Sequence, residues 1–160
     1  MEPFDIAGFR QTLGRFATGV TVVTAICDGE VHGMTANSFT AVSLSPALVL
    51  VSVDNRARMQ RALRQSGRYA ISVLHADQQD ISAHFAGRPV DGLAIAFDWL
   101  DGMPLVSGAL AHLVCSIHDS VPAGDHTLQI GRVDHFRRGD GAPLIFFGSR
   151  YATVDSACAA

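Results

Sequence analysis

Residues 20–54 read VTVVTAICDGEVHGMTANSFTAVSLSPALVLVSVD, and they constrain the architecture more than any other part of the chain. Val20 to Cys27 is rich in β-branched residues, which lose χ1 freedom in a helix and pack well on a pleated surface, so it predicts a strand. Asp28-Gly29 is a hairpin signal, because both residue types tolerate the positive φ of a two-residue turn, and Val31-His32 opens the return strand. Thr40–Leu44 and Ala47–Val53 predict two further strands, separated by Ser45-Pro46. The run Leu48-Val49-Leu50-Val51 reads as a strand buried on both faces. Between the hairpin and these strands lies Gly33-Met34-Thr35-Ala36-Asn37-Ser38-Phe39, small and hydrogen-bonding residues in succession. Such a run offers backbone N–H groups and short polar side chains to a flat heteroaromatic ligand. It suits equally a β-bulge or a turn capped by Asn37.

Upstream, Asp5 can cap a helix, with Phe4 and Phe9 at the staple positions on either side of the cap. Phe9, Leu13 and Phe16 continue as one apolar stripe, and Gly19 is its expected stop. Downstream, Arg56 to Gln65 predicts a helix with Met59 and Leu63 inward and Gly67 as its end. Tyr69–Leu74 predicts a strand. Asp77 is placed to cap a short helix carrying Ile81 and Phe85, closed by Gly87 and Pro89. Residues 88–104 read as loop, with Phe97 and Trp99 anchoring it to the core. Ala109–Ile117 and Thr127–Phe136 predict long strands around a polar turn, Asp119 to Asp125. Arg137–Pro143 reads as a turn, Leu144–Phe147 as the final strand, and residues 155–160 as a frayed tail. The sum is a single domain over residues 1–154, mainly β with three short helices. Its strands are joined by turns and so antiparallel, and closure into a barrel would remove their edges.

Composition narrows the chemistry. The 160 residues are 48% hydrophobic and 17% charged, a globular balance. The formal charge of −3 argues against a basic nucleic-acid-binding face. All 12 basic residues are arginine, which excludes Schiff-base enzymes and the Walker A lysine. Cys27, Cys115 and Cys158 form no CxxC and read as reduced thiols of a cytoplasmic protein. No signal peptide or membrane span is expected. His32, His75, His84, His112, His118, His126 and His135 form no HxxxH or HExxH, so no metal site is expected. There is no GxSxG and no GxGxxG. Cys27 and Cys115 fall in core strands as small hydrophobes, and Asp98 and Asp101 in a solvated loop. Among the arginines between 56 and 68, Arg61 and Arg64 read as a solvated helix face. Arg56 and Arg58 sit where a strand turns into a helix, whose free N–H groups suit a phosphate.

The segments FATGVTVVTA (16–25), GMTANSFTAVSLSPALVLVSVD (33–54), HFAG (84–87), GDHTLQIGRV (124–133) and PLIFFGSRY (143–151) together resemble the flavin reductase family. Its members are the small reductase components of two-component flavin monooxygenases. The resemblance covers nearly the whole chain in order. It implies an antiparallel split β-barrel, a homodimer, and reduction of FMN or FAD by NADH or NADPH. It also implies a separate oxygenase that receives the reduced flavin. Met34, Thr35, Ala36, Asn37 and Ser38 match the strand along the isoalloxazine edge. Ser52, Val53 and Asp54 match the strand end that holds the ring and ribityl chain. Phe85 and Ala86 match the pair bordering the flavin, and Tyr151 an aromatic position near the site. His126 matches the histidine of the GDH motif on the nicotinamide side, the one catalytic candidate. The segment after Asp54 lacks the hydroxyl residues usual in the family, so phosphate binding would lean on Arg56, Arg58 and backbone N–H groups. Hydride transfer between stacked rings asks the protein for alignment and electrostatics. Two other readings are a flavin-binding split barrel without turnover and a pyridoxamine-phosphate oxidase-like enzyme.

Overall fold

A computed structural model describes residues 3–154. Helix α1 (Ile6–Leu13) begins where expected: the Asp5 carboxylate accepts from the Gly8 N–H at 2.9 Å. The Phe4 and Phe9 rings meet edge to face at 5.4 Å. The helix stops at Gly14, not Gly19, because Thr18–Gly19 is drawn off as a short strand, β1, against residues 145–146. Phe16 therefore lies beyond the helix.

The hairpin of β2 (Thr21–Cys27) and β3 (Glu30–Ala36) turns at Asp28-Gly29, both at positive φ (54° and 79°). Strands β4 (Thr40–Leu44) and β5 (Ala47–Asp54) follow. Strand β5 is not buried on both faces: Val49, Val51 and Val53 point inward, whereas Leu48 and Leu50 are half-buried. Side chains alternate along a strand, so the residues between the inward valines lie on the opposite face, which is only partly covered.

Helix α2 (Arg58–Ser66) starts two residues later than expected, caps on Ala57, and buries Met59, Gln60, Ala62 and Leu63. Gly67, at φ +66°, ends it by donating its N–H to Leu63 O at 2.9 Å. Strand β6 (Arg68–Val73) leads to α3 (Gln79–Phe85). Asp77 does not cap α3; its carboxylate lies 2.6 Å from His75 Nδ1, and Gln78 takes the cap position.

Several expectations in the second half give way. Within the stretch read as loop, β7 (Phe97–Leu100) and β8 (Met103–Val106) form a hairpin, and every residue of β8 is buried. Phe97 does pack against the core, but Trp99 is 55% exposed and anchors nothing. Asp119 to Ala123 is strand, not turn: β9 (Ala111–Ala123) and β10 (His126–Arg138) reverse at Gly124-Asp125 alone. A register shift skips His118, so His112 is buried while His118 is exposed, and they do not share a face. Strand β11 (Leu144–Phe147) is followed by β12 (Arg150–Thr153), which pairs back onto it. The expected frayed tail, residues 155–160, lies outside the described residues.

The main sheet is antiparallel, in the order β3-β2-β6-β9-β10-β5-β4. One core cluster takes Val23 and Ala25 from β2, Val51 and Val53 from β5, and Met59 and Leu63 from α2. Strands four places apart thus face each other across the core, as in a barrel. The end strands β3 and β4 are not paired with each other among the described residues, so the barrel is split there. A second cluster, around Val20, Val22, Leu74, Val106 and Leu144, lies under α3 and β11.

Candidate active site

Beside the split, the segment that follows β3 is tied to β5 by a side chain. Ser38 Oγ donates to Ser52 O at 2.9 Å and accepts from Ser52 N–H at 3.1 Å. One hydroxyl so replaces the two bonds of a ladder step. Beside this splice is a cavity of about 240 Å³ lined by Met34, Thr35, Ala36, Asn37, Ser38, Ser52, Asp54 and His126. Residues of the expected flavin strand, the β5 end and the GDH histidine thus meet at one place. Asn37 is exposed, just past the end of β3. Val53 is 1% exposed and packs in the core, so its side chain is turned from the cavity.

His126 reaches the cavity because the β9–β10 tip is tied to the end of β5. His126 pairs in register with Asp54. Asn55 N–H donates to Asp125 O at 3.0 Å, and Thr127 Oγ1 donates to Asn55 Oδ1 at 2.7 Å. The Asp125 carboxylate lies 2.7 Å from His126 Nδ1. That contact lowers the Asp125 carboxyl below its ordinary value. The His126 side chain remains 40% exposed.

Asp54 is held at about 2, first by the hydrogen bonds of the Arg56 guanidinium and then by the Arg56 backbone N–H. Its Oδ1 accepts from that N–H at 2.8 Å, and Oδ2 from Nη2 at 3.0 Å. Arg56 thus pairs with Asp54 at the rim of the cavity while its side chain stays exposed. Arg58 is exposed at the start of α2 and does not line this cavity.

A second cavity, of about 140 Å³, adjoins the first through Thr35 and Asn37 and is lined also by Val20, Ser82, Ala86, Arg88, Phe146 and Tyr151. Thr35 Oγ1 donates to Ser82 O at 2.7 Å, and Ser82 Oγ and Tyr151 Oη share a hydrogen bond of 2.8 Å. Phe85 lines neither cavity. Its ring lies over Gly33 so closely that a Cβ there would sit 2.3 Å from Phe85 Cε1. It supports β3 from behind.

Sequence reading missed Val20, Ser82, Arg88 and Phe146, and also a buried relay behind the site. Gln60 Nε2 donates to Val53 O at 2.9 Å, Gln129 Nε2 to Gln60 Oε1 at 3.0 Å, and Ser120 Oγ to Gln129 Oε1 at 2.6 Å. Gln60 and Gln129 are 3% and 2% exposed. Glutamine on the predicted inward face of α2 was the only signal available. Cys27 and Cys115 are buried, and burial raises both thiols, Cys115 to about 12, so neither is an activated nucleophile.

The profile of the flavin reductase like domain matches residues 13–155. An NADH-dependent flavin reductase of Rhodococcus sp is 50% identical over 149 residues, which are 91% of this chain and 85% of that protein. The reductase component of 4-hydroxyphenylacetate 3-monooxygenase from Thermus thermophilus is 42% identical, over 89% of this chain and 93% of its own. The solved structure of flavin reductase PheA2 superposes with a TM-score of 0.93 at 43% identity, covering 96% of this chain and all of that one. No helix of the described residues is long and apolar enough to cross a membrane. With the motifs, the split sheet and the relatives in agreement, the chain belongs to the flavin reductase family.

Proposed function

We propose that the larger cavity seats the ring of FMN or FAD and that His126 meets the nicotinamide of NADH beside it. The observation that carries this is the convergence of residues 34–38, 52, 54 and 126 on one hollow, although they lie as far as 92 positions apart in the chain. The donors and acceptors there fit such a ring: the exposed Asn37 amide offers both, and the Ser38–Ser52 splice holds the strand end rigid. The chemistry the flavin supplies when bound is acceptance of a hydride from reduced nicotinamide. Asp54, kept ionised by Arg56, accepts hydrogen bonds and so suits the hydroxyls of a ribityl chain. Asp125 fixes the His126 ring through Nδ1, and Nε2 has no partner among the described residues, leaving it to orient the donor.

The Rhodococcus relative is NADH-dependent and the Thermus relative serves a monooxygenase. This chain accordingly passes its reduced flavin to a separate oxygenase. Reduced, buried thiols suit a cytoplasmic enzyme. It works as a homodimer. Ile6, Leu13, Phe16, Leu44 and Phe136 are 57% to 96% exposed, and α1 buries none of its own residues, which a second copy would remedy.

The test of the flavin site is Asn37→Ala in a fluorescence titration with FMN and FAD. Affinity falls about tenfold, the worth of one hydrogen bond at the upper end of its range. Unchanged affinity places the ring elsewhere. Light scattering that gives a particle of 17.0 kDa with full activity removes the dimer.

A further inference from the structure

The smaller cavity has the make-up of a binding site in its own right. At about 140 Å³ it is well below the size of a drug-like pocket, and it has room for one flat ring, not a whole dinucleotide. Its walls are apolar and aromatic: Val20, Phe146 and Tyr151, the last two edge to face at 5.6 Å. Arg88 is the one arginine lining either cavity. Arg56, Arg61, Arg68 and Arg132 each pair with an aspartate, whereas Arg88 pairs with no carboxylate among the described residues. Its position is built. The backbone N–H of Arg88 donates back to Ala83 O at 3.0 Å, and its Nη2 lies 3.5 Å from Tyr151 Oη, itself tied to Ser82. A planar guanidinium with its charge unmet, over an aromatic hollow, recognises a base joined to a phosphate.

We propose that this hollow holds the adenylate end of a dinucleotide, with Arg88 on its phosphate. The inference rests on the flavin-site reading, since Thr35 and Asn37 wall both cavities and a ligand in one can extend into the other. FAD and NADH each carry an adenylate, while FMN and reduced nicotinamide mononucleotide do not.

The four ligands therefore divide the outcomes. In the intact protein, Arg88→Gln is compared with wild type by flavin titration with FMN and FAD, and by steady-state KM for NADH and reduced nicotinamide mononucleotide. Either the Kd of FAD or the KM of NADH rises about tenfold, while its mononucleotide counterpart is unmoved. The first result assigns the adenylate to the flavin, the second to the hydride donor. Arg88→Lys recovers part of the loss, because a phosphate still meets a cation. Equal losses for mononucleotide and dinucleotide, or no loss with any ligand, overturn the proposal. FMN binding by Asp54→Asn, at a residue that lines the larger cavity and not the smaller, reports on the flavin site, so a failure there is distinguishable from a failure of the hollow.

Discussion

Gly33→Ala is a one-atom change behind the flavin strand, and its cost can be worked from the geometry. The added Cβ would lie 2.3 Å from Phe85 Cε1, 2.5 Å from Cδ1 and 2.9 Å from Cζ. Carbon atoms prefer about 3.5–4.0 Å, so ring and strand must separate by more than about 1 Å. The ring cannot withdraw freely, since Phe85 packs on the cluster of Val20, Val22, Leu74, Val106 and Leu144. Overpacking of this kind costs about 1–3 kcal/mol. For a chain of this size that lowers Tm by roughly 3–9 °C. If β3 yields instead of the ring, the Thr35–Ser82 bond of 2.7 Å opens and both cavities change shape. Flavin affinity then falls along with stability. Thermal unfolding and FMN titration of Gly33→Ala, Phe85→Leu and the double variant test this. Phe85→Leu removes the clashing ring edge, so the double variant is less destabilised than the sum of the singles. A Gly33→Ala protein with wild-type Tm and affinity, or strictly additive singles, refutes the reasoning.

Asp54 sets a pH dependence. Its folded value, about 2, lies below the ordinary aspartate value, so the Asp54–Arg56 pairing contributes fully above about pH 4 and is lost as pH falls through the folded value. Urea midpoints of wild type and Asp54→Asn therefore differ at neutral pH and converge on acidification; a constant gap down to pH 2 would count against the pairing. His126→Ala raises the KM for NADH or slows flavin reduction with flavin affinity intact. A normal stopped-flow rate and NADH dependence with a lowered Tm returns His126 to a turn-holding role. Gln60→Leu leaves Val53 O and the Gln129 amide without their buried partner, at about 1–3 kcal/mol in chemical denaturation. A change below about 0.5 kcal/mol means that the relay has other partners.

What the chain determined by itself is local. The Asp5 cap, the Asp28-Gly29 hairpin, the Gly67 stop and the inward Met59 and Leu63 of α2 each follow from φ preference or periodicity within a few residues. Residues 34–38, 52, 54 and 126 were legible because small polar residues break a β-branched pattern and match a family's motifs. Tertiary structure decided the rest. Residues 97–106 carry Asp98, Trp99 and Pro104 and no clean alternation; β8 is a strand because Ala70 and Val114 need covering. Asp119 to Ala123 is too polar to read as strand, yet β10 pairs with it across the tight turn. Leu48 and Leu50 look like core, yet the packing of the sheet leaves their face of β5 only half-buried. Phe85 meets Gly33 and Arg88 meets Tyr151 across 52 and 63 positions. Propensity acts over a turn of helix or a step of strand. Contacts of that span depend on which elements the split sheet brings together, and no short window of sequence carries that information.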